Sequence, residues 1–179
     1  GSNWELQSKD ITDNHLNDVC FIDPGNGWAV GKEGTILRTA NAGVDWEVQY
    51  YDPNMDLEGV SFTDPNTGWV VGRNGFVLET NDGGNTWQDI SPGLNNDLYS
   101  VFCTSPDNIW AVGTGGAILH NWVLVSSGTT NHLESVFFTD SYNGWIAGDN
   151  GTVLHTSDAG NTWLAQSSGT NNHLKGIYF

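Results

Sequence analysis

Short apolar runs alternate along this chain with polar turns, and no stretch keeps the spacing of an amphipathic helix. The runs Val60-Ser61-Phe62, Trp69-Val70-Val71 and Phe76-Val77-Leu78 have strand length. Asp64-Pro65-Asn66-Thr67-Gly68 and Gly72-Arg73-Asn74-Gly75 separate them, and both are built from turn formers. A fourth run opens at Trp87. No gap is long enough for a crossover helix, so antiparallel hairpins are predicted throughout.

The pattern repeats. Trp28, Trp69, Trp110 and Trp145 stand 41, 41 and 35 residues apart. Leu16, Leu57, Leu98, Leu133 and Leu174 keep the same phase. Four strands A to D in a unit of about 40 residues predict a propeller blade. One such sheet alone leaves an apolar face in water, whereas radial stacking covers it, which suits A and B strands that are nearly all apolar. The strand-B tryptophans are assigned to packing between blades. The expected fold is all-β, with blades over 16–50, 57–91, 98–127 and 133–167. Residues 3–7 resemble a D strand (compare Asp45-Trp46-Glu47-Val48-Gln49) and 174–179 an A strand. These two pieces predict an incomplete fifth blade. Residues 1–179 then form one propeller domain or part of a larger one, and copies could associate to complete a ring.

Between strands C and D the first, second and fourth units carry S/T-x-D-x-G-x-T-W, the Asp box. The copies hold Thr39, Asn41, Gly43 and Trp46; Thr80, Asp82, Gly84 and Trp87; and Thr156, Asp158, Gly160 and Trp163. An Asp here can accept its own turn's amides, and the Gly permits positive φ. A structural turn is the expected role, since one carboxylate per turn is too few for calcium. The third unit lacks the box: Trp110 and Trp122 are 12 residues apart, against 18 for Trp28 and Trp46. Its hairpin must be much tighter.

The longer pattern G-W-x-x-G-x-x-G-x-x-L-x-T-x-D-x-G-x-T-W runs from Gly68 to Trp87 and from Gly144 to Trp163. It resembles the Ycf48/HCF136-like family, which is similar to the BNR repeat group. That resemblance implies a propeller acting outside the cytoplasm or stroma as a scaffold in photosystem II assembly. It implies a protein partner, no cofactor and no chemistry of its own.

Charge narrows the partners. Five Lys and Arg face 21 Asp and Glu, a formal net charge of −16, so no basic patch for nucleic acid can be built. No apolar stretch approaches membrane-spanning length, and no targeting segment is visible. The partner is expected to be a protein or a glycan. Cys20 and Cys103 fall on non-adjacent blades and are expected as free thiols.

The same residues bear on enzyme classes. Sialidases clamp a carboxylate with three arginines, and only Arg38 and Arg73 exist here. A glycoside hydrolase needs paired carboxylates, for which Asp18, Glu58 and Glu134 are candidates. No metal-ligand spacing is present. A structural segment of a larger cell-surface protein is a third class.

His15, His132 and His173 each follow Asn and precede the leading Leu of a strand A. Their D–A loops should share a face with the B–C hairpins. The candidate binding surface combines these histidines with Lys32, Glu33, Arg73, Asn74, Asp149 and Asn150.

Overall fold

The computed structural model describes residues 11–179. Among the described residues, sixteen strands form four four-stranded antiparallel meanders. Blade 1 comprises β1 (Leu16–Phe21), β2 (Gly27–Gly31), β3 (Ile36–Thr39) and β4 (Glu47–Tyr50). Blade 2 holds β5 (Leu57–Phe62), β6 (Gly68–Gly72), β7 (Val77–Thr80) and β8 (Gln88–Asp89). Blade 3 holds β9 (Leu98–Ser105), β10 (Asn108–Gly113), β11 (Ile118–His120) and β12 (Val123–Val125). Blade 4 holds β13 (Leu133–Phe138), β14 (Gly144–Gly148), β15 (Val153–Thr156) and β16 (Leu164–Gln166).

The blades are arranged as a propeller. Their first strands stand side by side and are stitched by side chains that accept amides of the next blade. Val60 donates to the Asp18 carboxylate at 2.9 Å, and Cys103 to the Ser61 hydroxyl at 3.2 Å. Val136 donates to the Ser100 hydroxyl at 3.4 Å.

The apolar core lies between blades. Trp28, Val30 and Ile36 of blade 1 meet Val60, Phe62, Val70 and Leu78 of blade 2. Trp69, Val71 and Val77 meet Leu98, Val101, Ala111 and Leu119 of blade 3. Trp110, Val112 and Ile118 meet Val136, Phe138, Ile146 and Leu154 of blade 4. Three strand-B tryptophans are thus fully buried, each contributing roughly 3 kcal/mol by burial. Trp145 is only half-buried, because no complete blade follows it among the described residues.

Each of these tryptophans faces a polar residue across the ladder: Trp28–Arg38, Trp69–Glu79, Trp110–His120 and Trp145–His155. The Trp69 indole donates to Glu79 at 3.0 Å. His120 lies flat on Trp110, with ring centroids 4.0 Å apart and planes 3° apart. Burial pushes the His120 pKa below its ordinary value of 6.5.

The fifth blade expected from the sequence is only partly in view. Residues 3–7 lie outside the described residues. Residues 174–179 lie along blade 4 but form no strand; Leu174 donates to the Gly148 carbonyl at 3.1 Å and Ile177 to the Ser135 hydroxyl at 3.3 Å. No B strand pairs with the segment among the described residues, so it has no ladder to join. Both cysteines are free. Burial raises the Cys103 thiol to about 12.

Candidate functional site

One end of the propeller is built from the four B–C turns, residues 32–34, 73–75, 114–116 and 149–151. Each middle residue is left-handed: Glu33 at φ 55°, Asn74 at 56°, Gly115 at 67° and Asn150 at 55°. The glycine that follows lets the next loop pass overhead. A Cβ on Gly75 would sit 2.4 Å from the Leu94 carbonyl oxygen.

The residue before each leading Leu binds these turns on both sides. Its carbonyl accepts the amide that opens its own blade's turn: Lys32 to His15, Arg73 to Asp56, Thr114 to Asp97 and Asp149 to His132. From blade 2 onward its side chain accepts the middle amide of the preceding blade's turn. Glu33 donates to Asp56 Oδ1 at 3.3 Å, Asn74 to Asp97 Oδ1 at 2.9 Å and Gly115 to His132 Nδ1 at 3.0 Å. His173 instead pairs through Nδ1 with the Asp149 carboxylate. The three histidines therefore occupy equivalent positions on separate loops, before blade 1, before blade 4 and after blade 4, each engaged with its own turn. No group of three metal-ligating side chains occurs among the described residues.

Asp56 and Asp97 fill the slot that His15, His132 and His173 fill in the other repeats, and were missed from sequence. Their shared position before each leading Leu is visible in the sequence, but the backbone amide that they accept is not.

Cations on this face are neutralised locally. Lys32 contacts Asp56 at 2.9 Å and Glu58 at 3.4 Å. Arg73 contacts Glu58 at 3.0 Å and Asp56 at 3.6 Å, and Lys175 contacts Glu134 at 2.7 Å. The Lys32 ammonium holds the Asp56 carboxyl below its usual range, and the hydrogen bond from His173 does the same for Asp149. Tyr51 donates to Glu33 at 2.7 Å. Carboxylates outnumber cations, so the face remains acidic.

The candidate carboxylates for hydrolysis, Asp18, Glu58 and Glu134, are all engaged. Glu58 and Glu134 hold the cations just described. Asp18 accepts the amides of Val19 and Val60, and burial pushes its carboxyl up.

The Asp boxes lie at the opposite end. The Thr86 amide and hydroxyl donate to the two Asp82 oxygens at 2.9 and 2.7 Å, and Thr80 accepts the Gly84 amide at 2.8 Å. Thr156, Asp158, Gly160 and Thr162 repeat this network. In blade 1 the charge changes place: the Asn41 amide donates to Asp45 Oδ2 at 3.0 Å, while Asn41 Oδ1 accepts the Asp45 amide at 2.9 Å. Gly43 donates to Thr39 at 2.9 Å. Trp87 and Trp163 reach into the blade joints beneath. Trp46 meets Phe21 edge-on. Blade 3 closes instead by the two-residue turn Asn121-Trp122, both residues left-handed at φ 47° and 68°.

The family described as "Photosynthesis system II assembly factor YCF48" matches residues 1–113. No curated protein matches the sequence. Among solved structures, "YCF48 from Cyanidioschyzon merolae" is 20% identical, with a TM-score of 0.70 over 96% of this chain and 63% of that one. The present chain thus spans less than two thirds of that protein. "YCF48 bound to D1 peptide" is 17% identical, with a TM-score of 0.57 over 94% of this chain and 88% of that one. A GH74 enzyme from Niastella koreensis is 15% identical, with a TM-score of 0.64 over 80% of this chain and 28% of that one. Likenesses at these identities establish the fold alone.

Proposed function

This chain belongs to the photosystem II assembly factor YCF48 family, and from that premise we propose that it is a non-catalytic scaffold holding a protein partner on its B–C loop face. The observation that carries this reading is the double anchoring of the turns. Asp56, Asp97 and His132 each tie two blades together, so the surface is rigid before anything binds. A preformed surface loses little entropy on binding.

The ligand favoured by this surface is an extended, neutral or basic peptide segment. Exposed Glu33 and the surplus of carboxylates attract positive charge and repel an acidic chain. That a solved YCF48 structure is described as bound to a D1 peptide supports a peptide as the ligand class. Family membership also supports a location outside the cytoplasm or stroma. A glycan is a weaker alternative, resting on the exposed Tyr51 ring beside Glu33. The likeness to a GH74 enzyme favours hydrolysis less, because Glu58, Glu134 and Asp18 are all committed to other partners.

The test is selection of a random peptide library on the immobilised protein. Enriched peptides should be basic. The double variant Glu33→Lys/Asp149→Lys should weaken their binding at least about tenfold. Tyr142→Ala, at the opposite end, should leave it unchanged. Binding only to glycans, or turnover of a polysaccharide, would reverse the reading.

A further inference from the structure

One acceptor slot recurs at three blade joints, and its chemistry changes at the third. Across the joint of blades 1 and 2 the Glu33 amide donates to the Asp56 carboxylate, and across the next the Asn74 amide donates to Asp97. Between blades 3 and 4 the Gly115 amide donates to His132 Nδ1 at 3.0 Å. A backbone N–H can only donate, so this contact fixes the imidazole with a lone pair on Nδ1 and its proton on Nε2. A carboxyl group keeps an oxygen that accepts whether or not it is protonated. An imidazolium carries N–H at both nitrogens and accepts nothing. Imidazoles as a class take up that proton at about pH 6.5, carboxylates only at roughly pH 4.

The main chain around His132 is held to blade 4 by bonds that do not titrate. Its carbonyl accepts the Asp149 amide at 2.9 Å. The neighbouring Asn131 donates to the Thr152 hydroxyl at 2.8 Å and accepts from the Asn150 side chain at 3.1 Å. The Nδ1 contact reaches the other way, to the blade 3 turn. Charge around the ring is one-sided. Residues 114–116 and 126–131 carry no charged side chain. Asp97, whose carbonyl holds Thr114, has its carboxylate on the Asn74 amide. Blade 4 presents Asp149, which pairs with His173 and also interacts with His132 and Lys175. Glu134 in turn holds Lys175. A ring that gains charge is therefore repelled by the Gly115 amide and attracted to Asp149.

We propose that His132 is a pH-sensitive latch on the B–C loop face: at neutral pH its ring ties turn 114–116 to blade 4, and in weak acid the protonated ring releases Gly115 and turns to Asp149. The slots filled by Asp56 and Asp97 hold through the same range, so one turn of the four loosens while its neighbours stay fixed. Gly115 is exposed and has no side chain to take over the lost contact. The consequence for a ligand rests on the reading of this face as a peptide-binding surface. In weak acid that face gains a positive charge and loses part of its rigidity, and both changes weaken the hold on a basic peptide.

Nitrogen-15 NMR of the whole chain, titrated from about pH 8 to about pH 5, tests the latch. At the alkaline end the ring nitrogens of His132 should show Nδ1 bare and Nε2 protonated. The Gly115 amide signal should then move with the same midpoint as the His132 ring, while the Glu33 and Asn74 amides do not follow it. His132→Asn puts an oxygen that does not titrate in place of Nδ1, and should hold the Gly115 signal at its neutral position throughout. Binding of a library-selected basic peptide should weaken across the range by at least about threefold more in the parent than in His132→Asn. If no peptide binds at any pH, the scaffold reading fails, while the ring and amide signals of the parent still decide the latch. A proton on Nδ1 at neutral pH, a Gly115 amide indifferent to the ring's titration, or the same movement in His132→Asn would overturn the proposal.

Discussion

The Asp97 carboxylate accepts the Asn74 amide at 2.9 Å across the boundary between blades 2 and 3. Its own carbonyl accepts the Thr114 amide at 2.9 Å, so one residue fixes two neighbouring turns. Asp97→Ala should lower stability by about 1 kcal/mol, the usual net contribution of such a bond. Asp97→Asn keeps an acceptor oxygen and should cost less than half as much. Urea unfolding of the two variants measures this directly.

Asn41 and Asp45 exchange the roles that Asp82 and Thr86 play one blade later. Asn41→Asp alone sets two carboxylates within hydrogen-bond distance of each other. It should cost about 1 kcal/mol at neutral pH, with the penalty relieved in acid or high salt. Asn41→Asp with Asp45→Thr recreates the second-blade arrangement and should recover the loss. Thermal unfolding of the single and double variants decides the point.

Much of this architecture can be read from sequence. The spacing of Trp28, Trp69, Trp110 and Trp145 sets the blades, because an indole at the same place in each repeat must be buried against the next sheet. The bridging role of Asp56 and Asp97 was not legible. His and Asp look unrelated until both are seen accepting the same backbone amide. The left-handed backbone of Trp122 was equally hidden, although the spacing from Trp110 marks its tight hairpin. A bulky residue at φ 68° is disfavoured locally, and only its packing between blades 2 and 3 explains the conformation.

Gly160 meets two demands at once. Its φ is 75°, and a Cβ there would lie 2.0 Å from Trp110 Cη2 of the preceding blade. Gly160→Ala should therefore cost roughly 3 kcal/mol or more, by strain and overpacking together. Gly128 has φ 72° with nothing within 4 Å, so Gly128→Ala should cost only about 1 kcal/mol. Equal losses in denaturant titrations would show that the close approach to Trp110 does not matter.

The stacked His120 should impose a pH dependence. Its folded pKa lies below 6.5, so the unfolded chain takes up the proton first as pH falls. Its contribution is complete above 6.5 and is lost as pH drops through 6.5 toward the folded value. Asp82 and Asp149, held below 3.8, do not titrate in that window. His120→Gln should flatten the slope of stability against pH between neutral and about pH 5. Urea midpoints of parent and variant across that range supply the comparison.

The thiols should be slow to react. Burial pushes Cys103 to about 12, and it also raises Cys20. Little thiolate is present near neutral pH. Alkylation of the native protein should therefore be much slower than after unfolding, as mass spectrometry of the labelled chain will register.

Amide hydrogen exchange, followed with and without a library-selected basic peptide, bears most directly on the scaffold. Protection should rise at residues 32–34, 73–75, 114–116 and 149–151, while the Asp-box turns stay unchanged. Protection confined to the Asp-box end, or none at the B–C turns despite saturating peptide, would contradict the account.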